Sequence, residues 1–229
     1  MQRKAWLDNM TMIPKPKLVI FDLDGTLVDS AADIAEAANQ TFSVLQLPVQ
    51  PLPQVKKWIG GGAQVFIEKA LHFFQQSERF DQAYELFMAH YRAVPADRSQ
   101  IFAGVRELLA ELAKQQVAMA VVSNKPQELI PPILSHMGIA DYFSHALGGD
   151  SLPQKKPNPE PLFHVCRQHQ VAPQECWMVG DSSKDADAAE RADAVYWSHV
   201  WLCHGGYRYP ASESPTSRGG QSRAAHPID

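Results

Sequence analysis

Three observations predict an α/β fold built on a doubly wound parallel sheet with an inserted all-helical segment. Short continuous apolar runs at residues 18–21, 117–122 and 176–179 read as strands buried on both faces. Helical spacing separates the later runs, as in Val105, Leu108, Leu109 and Leu112. Each run stops abruptly at a polar turn. Strands alternating with helices build parallel sheets. Residues 31–98 show helical spacing only and are expected to form the insert.

The elements follow in order. Ile34, Ala38, Thr41 and Leu45 predict a helix over 33–46, which Pro48, Pro51 and Pro53 end. Residues 63–93 read as helix throughout, with Phe66, Ala70 and Phe73 on one face, then Phe80, Tyr84, Phe87 and Tyr91. After the 117–122 strand, Ile130, Ile133, Leu134 and Met137 predict a helix that Pro131 and Pro132 kink or delay. Residues 146–148 suit a short strand. Pro159 suits a helix start, with Leu162, Val165, Cys166 and His169 behind it. Residues 194–202 suit a last strand. The core is thus expected over 17–30 and 99–203, the insert over 31–98 and a loose extension over 1–16. From 204 to 229 the only Leu, Ile, Val or Phe is Ile228, so an atypical tail without stable order is expected.

Composition narrows the function classes. A chain of 229 residues buries a core without disulfides or metal staples. Its formal charge of −4 lacks the electrostatic footprint of a nucleic-acid binder. Cys166, Cys176 and Cys203 form no Cys-x-x-Cys pair, which argues against a disulfide framework or structural zinc and for a reducing, cytoplasmic setting. No apolar run reaches membrane-spanning length, and the N-terminus lacks the apolar stretch of a secretory signal. The expected protein has no membrane or nucleic-acid partner, and is a monomer or homodimer.

The chemistry follows from position. Asp22 and Asp24, Ser123, Lys156, and Asp181 with Asp185 all come after apolar strands or strand-like runs. Ligands of open parallel sheets bind beyond the strand C-termini. Two close carboxylates need a cation or a shared proton. With Asp181 they form an oxygen-rich set that suits Mg²⁺ bridging to phosphate. Ser123 and nearby amides, with Asn124 beside them, suit phosphate oxygens, and Lys156 supplies a point charge aimed by Pro157. Asp185, four residues after Asp181, can reach Lys156 or a metal-bound water if a helix starts there. Asp29, Asp33 and Asp187 read as structural or surface acids. His164 and His169 lack zinc-binding partners.

Together, Asp-x-Asp-Gly-Thr at 22–26, Ser123-Asn124, Lys156-Pro157 and Gly-Asp-x-x-x-Asp at 180–185 resemble the haloacid dehalogenase-like hydrolase superfamily. The longer form of the first motif, at 21–30, looks like the phosphatase branch. Trp58-Ile59-Gly60-Gly61-Gly62, Gly148-Gly149-Asp150 and the segment 155–161 are similar to bacterial phosphoglycolate phosphatases. The resemblance spans about residues 18–191. It implies hydrolysis of a small phosphorylated metabolite, with 2-phosphoglycolate the leading substrate. Asp22 would be the nucleophile and Asp24 the general acid and base. Asp22, the Asp24 backbone carbonyl and Asp181 would hold Mg²⁺, while Ser123 and Lys156 would stabilise the transferring group. The insert would act as a cap, with Gly60 and Gly61 near substrate. A sugar phosphomutase of the same superfamily, or a non-catalytic phosphometabolite binder, are the alternatives.

The tail departs from the family pattern of a further strand and terminal helix. Codon degeneracy permits residues 197–206, read one base later, to spell Gly-Leu-Thr-Tyr-Gly-Phe-Val-Thr-Gly-Gly. Residues 217–225 can likewise become Arg-Val-Val-Asp-Ser-Leu-Ala-Gln-Leu. A reading-frame shift near residues 192–194 is the hypothesis. Stop codons in the shifted frame of the gene would end it.

Overall fold

The computed structural model describes residues 15–93, 96 and 98–198, and the side chains up to Tyr196. The expected N-terminal extension falls almost wholly outside these residues. The expected tail lies wholly beyond them, whereas the frame shift expected near residues 192–194 falls within them and most of its altered segment beyond.

Five strands form the expected parallel sheet: β1 (Leu18–Phe21), β4 (Ala118–Val122), β5 (His145–Leu147), β6 (Cys176–Gly180) and β7 (Val195–Ser198). Their order is β5-β4-β1-β6-β7, all neighbours parallel. The chain leaves β1 toward β4 and β5 on one side, then returns to β6 and β7 on the other. The order in which strands are added therefore reverses between β1 and β6, where such folds open a crevice.

Period-two alternation explains why β1 is wholly apolar. Val19 and Phe21 join Val121, Val179, Leu109 and Ile130 in the core on one face. Leu18 and Ile20 join Val122, Met178, Leu162 and Ala188 on the other. The first face is covered by α5 (Val105–Lys114) and α6 (Ile130–His136), the second by α7 (Glu160–Gln168) and α8 (Ser183–Ala192). Pro131 and Pro132 sit in the first turn of α6, where helix N–H groups need no partner, so they delay the helix without bending it. A 3₁₀ turn, Gln127–Leu129, fills the gap. Cys166 and Cys176 are buried and free, packed in the second core.

Four helices between Ala31 and Ala93 make the helical insert: α1 (Ala31–Val44), α2 (Leu52–Lys56), α3 (Ala63–Phe74) and α4 (Phe80–Ala93). Its apolar centre is distinct from the two sheet cores, with Phe42, Trp58, Phe66 and Phe87 among its buried residues. Phe66 stacks on Phe87, and Trp58 meets Phe42 edge-on. Two short strands, β2 (Val28–Asp29) and β3 (Gln100–Ile101), pair antiparallel where the chain enters and leaves the insert. Buried Asp33 strengthens this junction by accepting hydrogen bonds from the Ser99 hydroxyl and the Arg98 amide.

The continuous helix expected over 63–93 is corrected. Gln75 takes a left-handed conformation that caps α3, and a 3₁₀ turn at Ser77–Arg79 precedes α4. The polar run Gln75-Gln76-Ser77-Glu78-Arg79 has no apolar residue to hold a helix face against the core. Phe73, expected on the buried face, is 52% exposed; Ile67 and Leu71 take the inward positions. Among the described residues, no helix is long and apolar enough to cross a membrane.

Candidate active site

The site begins with the turn after β1. The Leu23 carbonyl accepts from the amides of Thr26, Leu27 and Val28, coiling the chain into a single tight loop. Leu23 and Leu27 are fully buried beneath it, while Asp22 and Asp24 line the cavity above. Gly25 adopts φ +89°, and a Cβ there would collide with the Asp181 carboxylate. That glycine lets the β1 turn and the β6 turn touch. Thr26 Oγ1 donates to Asp181 Oδ1 at 3.2 Å, tying the two turns together.

Lys156 enters from the segment between β5 and α7 and is 2% exposed. Its Nζ lies 3.1 Å from Asp22 Oδ1 and 2.6 Å from Asp185 Oδ1. The far oxygen of Asp185 accepts from the Ser182 amide and hydroxyl, completing the capping box of α8. One buried acid thus starts a helix and anchors a lysine. The Lys156–Pro157 bond is cis.

Carboxylate oxygens of Asp22, Asp181 and Asp185 lie within 4.8 Å of one another, an arrangement able to hold a metal ion. Burial is the main cause that pushes the Asp22 carboxyl up to about 7; Lys156 opposes it, and Asp185, Asp181 and Asp24 add to it. Such crowding favours a cation of hard character, and an all-carboxylate donor set suits Mg²⁺. The Asp24 side chain is engaged elsewhere: it accepts from Ser30 Oγ and from Lys125 Nζ at 3.0 Å.

The sign of the Asp22 shift gives a prediction. A carboxyl whose folded pKa is raised contributes stability below its unfolded value of 3.8 and loses it as pH climbs through about 7. In chelator-treated protein, the urea midpoint of wild type relative to Asp22→Asn is expected to fall across that window. Added Mg²⁺ should flatten the difference. Parallel curves for the two proteins at every pH would refute the shift.

The loop after β4 supplies Ser123 and Asn124, both buried. Ser123 lines the same cavity as Asp22 and Lys156. Asn124 Nδ2 donates to the Lys156 carbonyl at 2.9 Å and to the Gly60 carbonyl of the insert at 3.3 Å. Gly62, at φ +85°, packs against the Asn124 carbonyl so closely that any Cβ would clash. Gly60 and Gly62 line the cavity, whereas Gly61 holds Lys155 Nζ through its carbonyl at 3.0 Å. The glycine loop is therefore docked directly on the sheet's loops. Ile34, Ile59, Phe66 and Phe87 complete an apolar wall from the insert along a cavity that stays partly open to solvent.

Two participants escaped the sequence reading. Lys125, 3% exposed, pairs with Asp24 and hydrogen-bonds the hydroxyl of Tyr91 in α4. Burial pulls the Lys125 pKa down, but Asp24 and Tyr91 outweigh it and leave it raised. Burial pushes the Tyr91 phenol up. A lysine directly after Ser123-Asn124 was the available signal for one; Tyr91 reads only as another aromatic on a helix face.

Comparison with known proteins identifies the family. The chain matches the family described as haloacid dehalogenase-like hydrolase over residues 19–197. It is 42% identical over 182 residues to a phosphoglycolate phosphatase of Pseudomonas putida, covering 77% of this chain and 66% of that protein, just under two thirds of its length. A phosphoglycolate phosphatase of Vibrio vulnificus is 40% identical over 206 residues, covering 86% and 89%. The crystal structure of a predicted phosphoglycolate phosphatase from Haemophilus somnus superposes with a TM-score of 0.74 at 32% identity, covering 82% and 89%. With the acid pair after β1, the lysine before α7 and the acids after β6 gathered at one crevice, the chain belongs to the haloacid dehalogenase-like hydrolase family.

Proposed function

We propose that this protein is a Mg²⁺-dependent phosphatase that hydrolyses a small phosphomonoester, 2-phosphoglycolate, to glycolate and phosphate. The observation that carries the reading is the meeting of Asp22, Lys156, Asp181 and Ser123 at the mouth of β1, β4 and β6, beneath an apolar wall. The names borne by the relatives supply the substrate.

Asp22 attacks phosphorus in line while the bond to the leaving oxygen breaks, giving an aspartyl-phosphate. Asp24 delivers a proton to the leaving oxygen, then takes one from the water that cleaves the intermediate. Lys156, fixed by Asp185, and Ser123, with the amides beside Asn124, stabilise negative charge on the transferring group. Asp22, Asp181 and the Asp24 carbonyl would hold Mg²⁺; the bound ion supplies neutralisation of phosphoryl charge. The insert excludes water while Asp22 reacts, with Gly60 and Gly61 at its contact edge. The reaction belongs to a reducing cytoplasm, consistent with the two buried free thiols.

Phosphate release from a panel of phosphomonoesters tests the reading. Turnover of 2-phosphoglycolate is expected with Mg²⁺ and is expected to vanish with chelator. Conversion of a sugar phosphate to its isomer, without phosphate release, would instead identify a mutase. Phosphoester binding without turnover would identify a binding protein.

A further inference from the structure

The cavity lined by the sheet loops and the insert contains two cations, Lys156 and Lys125, among the described residues. Lys156 belongs to the phosphoryl side, paired with Asp22 and Asp185. Lys125 is different. Its salt bridge is with Asp24, at 3.0 and 3.3 Å from the two carboxylate oxygens. Its remaining polar contact is the Tyr91 hydroxyl, whose ring centroid lies 4.5 Å from Nζ. An ammonium carries three N–H donors. The two Asp24 oxygens and the Tyr91 hydroxyl take all three, so a ligand in the cavity binds by replacing the longer Asp24 contact at 3.3 Å, on a side chain only 1% exposed.

The surroundings restrict what that ligand is. Of the insert's lining, Ile34, Ile59, Phe66 and Phe87 cannot hydrogen-bond a sugar's hydroxyls, and the Tyr91 hydroxyl and Gly60 carbonyl are already held by Lys125 and Asn124. In the phosphatase reading, on which this inference rests, Asp24 serves the leaving oxygen. A group in contact with Asp24 therefore stands beside whatever is bonded next to that oxygen. A carboxylate on the adjacent carbon places its own oxygens there.

We propose that Lys125 determines specificity by binding a carboxylate on the carbon that bears the ester oxygen. Phosphorylated 2-hydroxy acids are thereby preferred over neutral-ended phosphomonoesters of equal size. Tyr91 orients Lys125 from the insert, so this contact forms only with the insert docked.

The test compares kcat/KM for 2-phosphoglycolate and ethyl phosphate, using the full chain with Mg²⁺. Wild type is expected to prefer phosphoglycolate by at least roughly 10-fold, the scale of one hydrogen bond to a charged group. In Lys125→Met, which keeps the length of the stem and removes the charge, that ratio is expected to fall about 10- to 100-fold, carried mainly by KM. An unchanged ratio in Lys125→Met, both substrates slowing together, would overturn the proposal and leave Lys125 a support for Asp24. The wild-type ratio decides independently if the variant fails to fold: a preference below threefold also overturns it. Wild type that releases phosphate from neither ester would strike the phosphatase reading itself, and this inference with it. Brisk turnover of both esters alike strikes the inference alone.

Discussion

Asp22→Asn is expected to slow phosphate release from 2-phosphoglycolate by at least roughly 10⁴-fold, because an amide cannot become the acyl-phosphate intermediate. The same change is expected to leave the fold intact. Asp22 is buried beside Asp185 and Asp181, and its carboxyl is already pushed up to about 7 by desolvation. Removing that charge leaves Lys156 paired with Asp185 at 2.6 Å. Metal-free Asp22→Asn should therefore be at least as stable as wild type above pH 7, measured by urea unfolding. The combination of lost activity and kept stability separates a reacting group from a structural one. Activity within tenfold of wild type would remove Asp22 from the reaction.

Lys156→Met is expected to produce the largest loss of stability, about 3–5 kcal/mol, the usual consequence of leaving buried acids without their cation. Asp185 is completely buried, and Asp22 is 8% exposed. Burial lowers the Lys156 pKa, but Asp22 and Asp185 raise it further, so its net shift is upward. A lysine raised in the fold contributes its full stability below the unfolded value of 10.5 and loses it only above that, so pH 8 is a suitable condition. The urea midpoint should fall sharply there, and Asp185→Asn placed on Lys156→Met should recover part of the loss. A shift under about 1 kcal/mol would mean that Asp185 is satisfied by Ser182 alone.

The sheet was legible because its central strands are buried on both faces. Residues 18–21 carry no polar residue at all, and a doubly covered strand accounts for so short a run stopped by a polar turn. The strands β2 and β3 left no trace, because two residues cannot display a period and their pairing joins positions some seventy residues apart. The break at Gln75 was visible in its polar run but was read through, since the apolar positions on either side both fit helical spacing.

At the site, Asp22, Asp24, Ser123, Asp181 and Asp185 stand out because each follows an apolar run, and Lys156 because it opens a proline-rich turn. Lys125 and Tyr91 do not, because their significance lies in contact with each other across the junction of sheet and insert. Ser30 stands at the N-cap of α1 without making a capping bond, because its hydroxyl donates to Asp24. Which acid takes which lysine is a matter of three-dimensional approach, and the spacing of the motifs alone does not contain it.

The pairing of Val28 with Ile101 and of Asp29 with Gln100 has a structural corollary. Neighbouring antiparallel positions lie only about 5 Å apart, a span that a two-residue hairpin turn bridges. The sheet therefore experiences the whole helical excursion as a detour that returns to its own starting point. Helices of another size or chemistry can be spliced across that gap without disturbing a single strand register. The acids and lysines at the strand ends are thus carried by a scaffold whose registers do not depend on how long the excursion is.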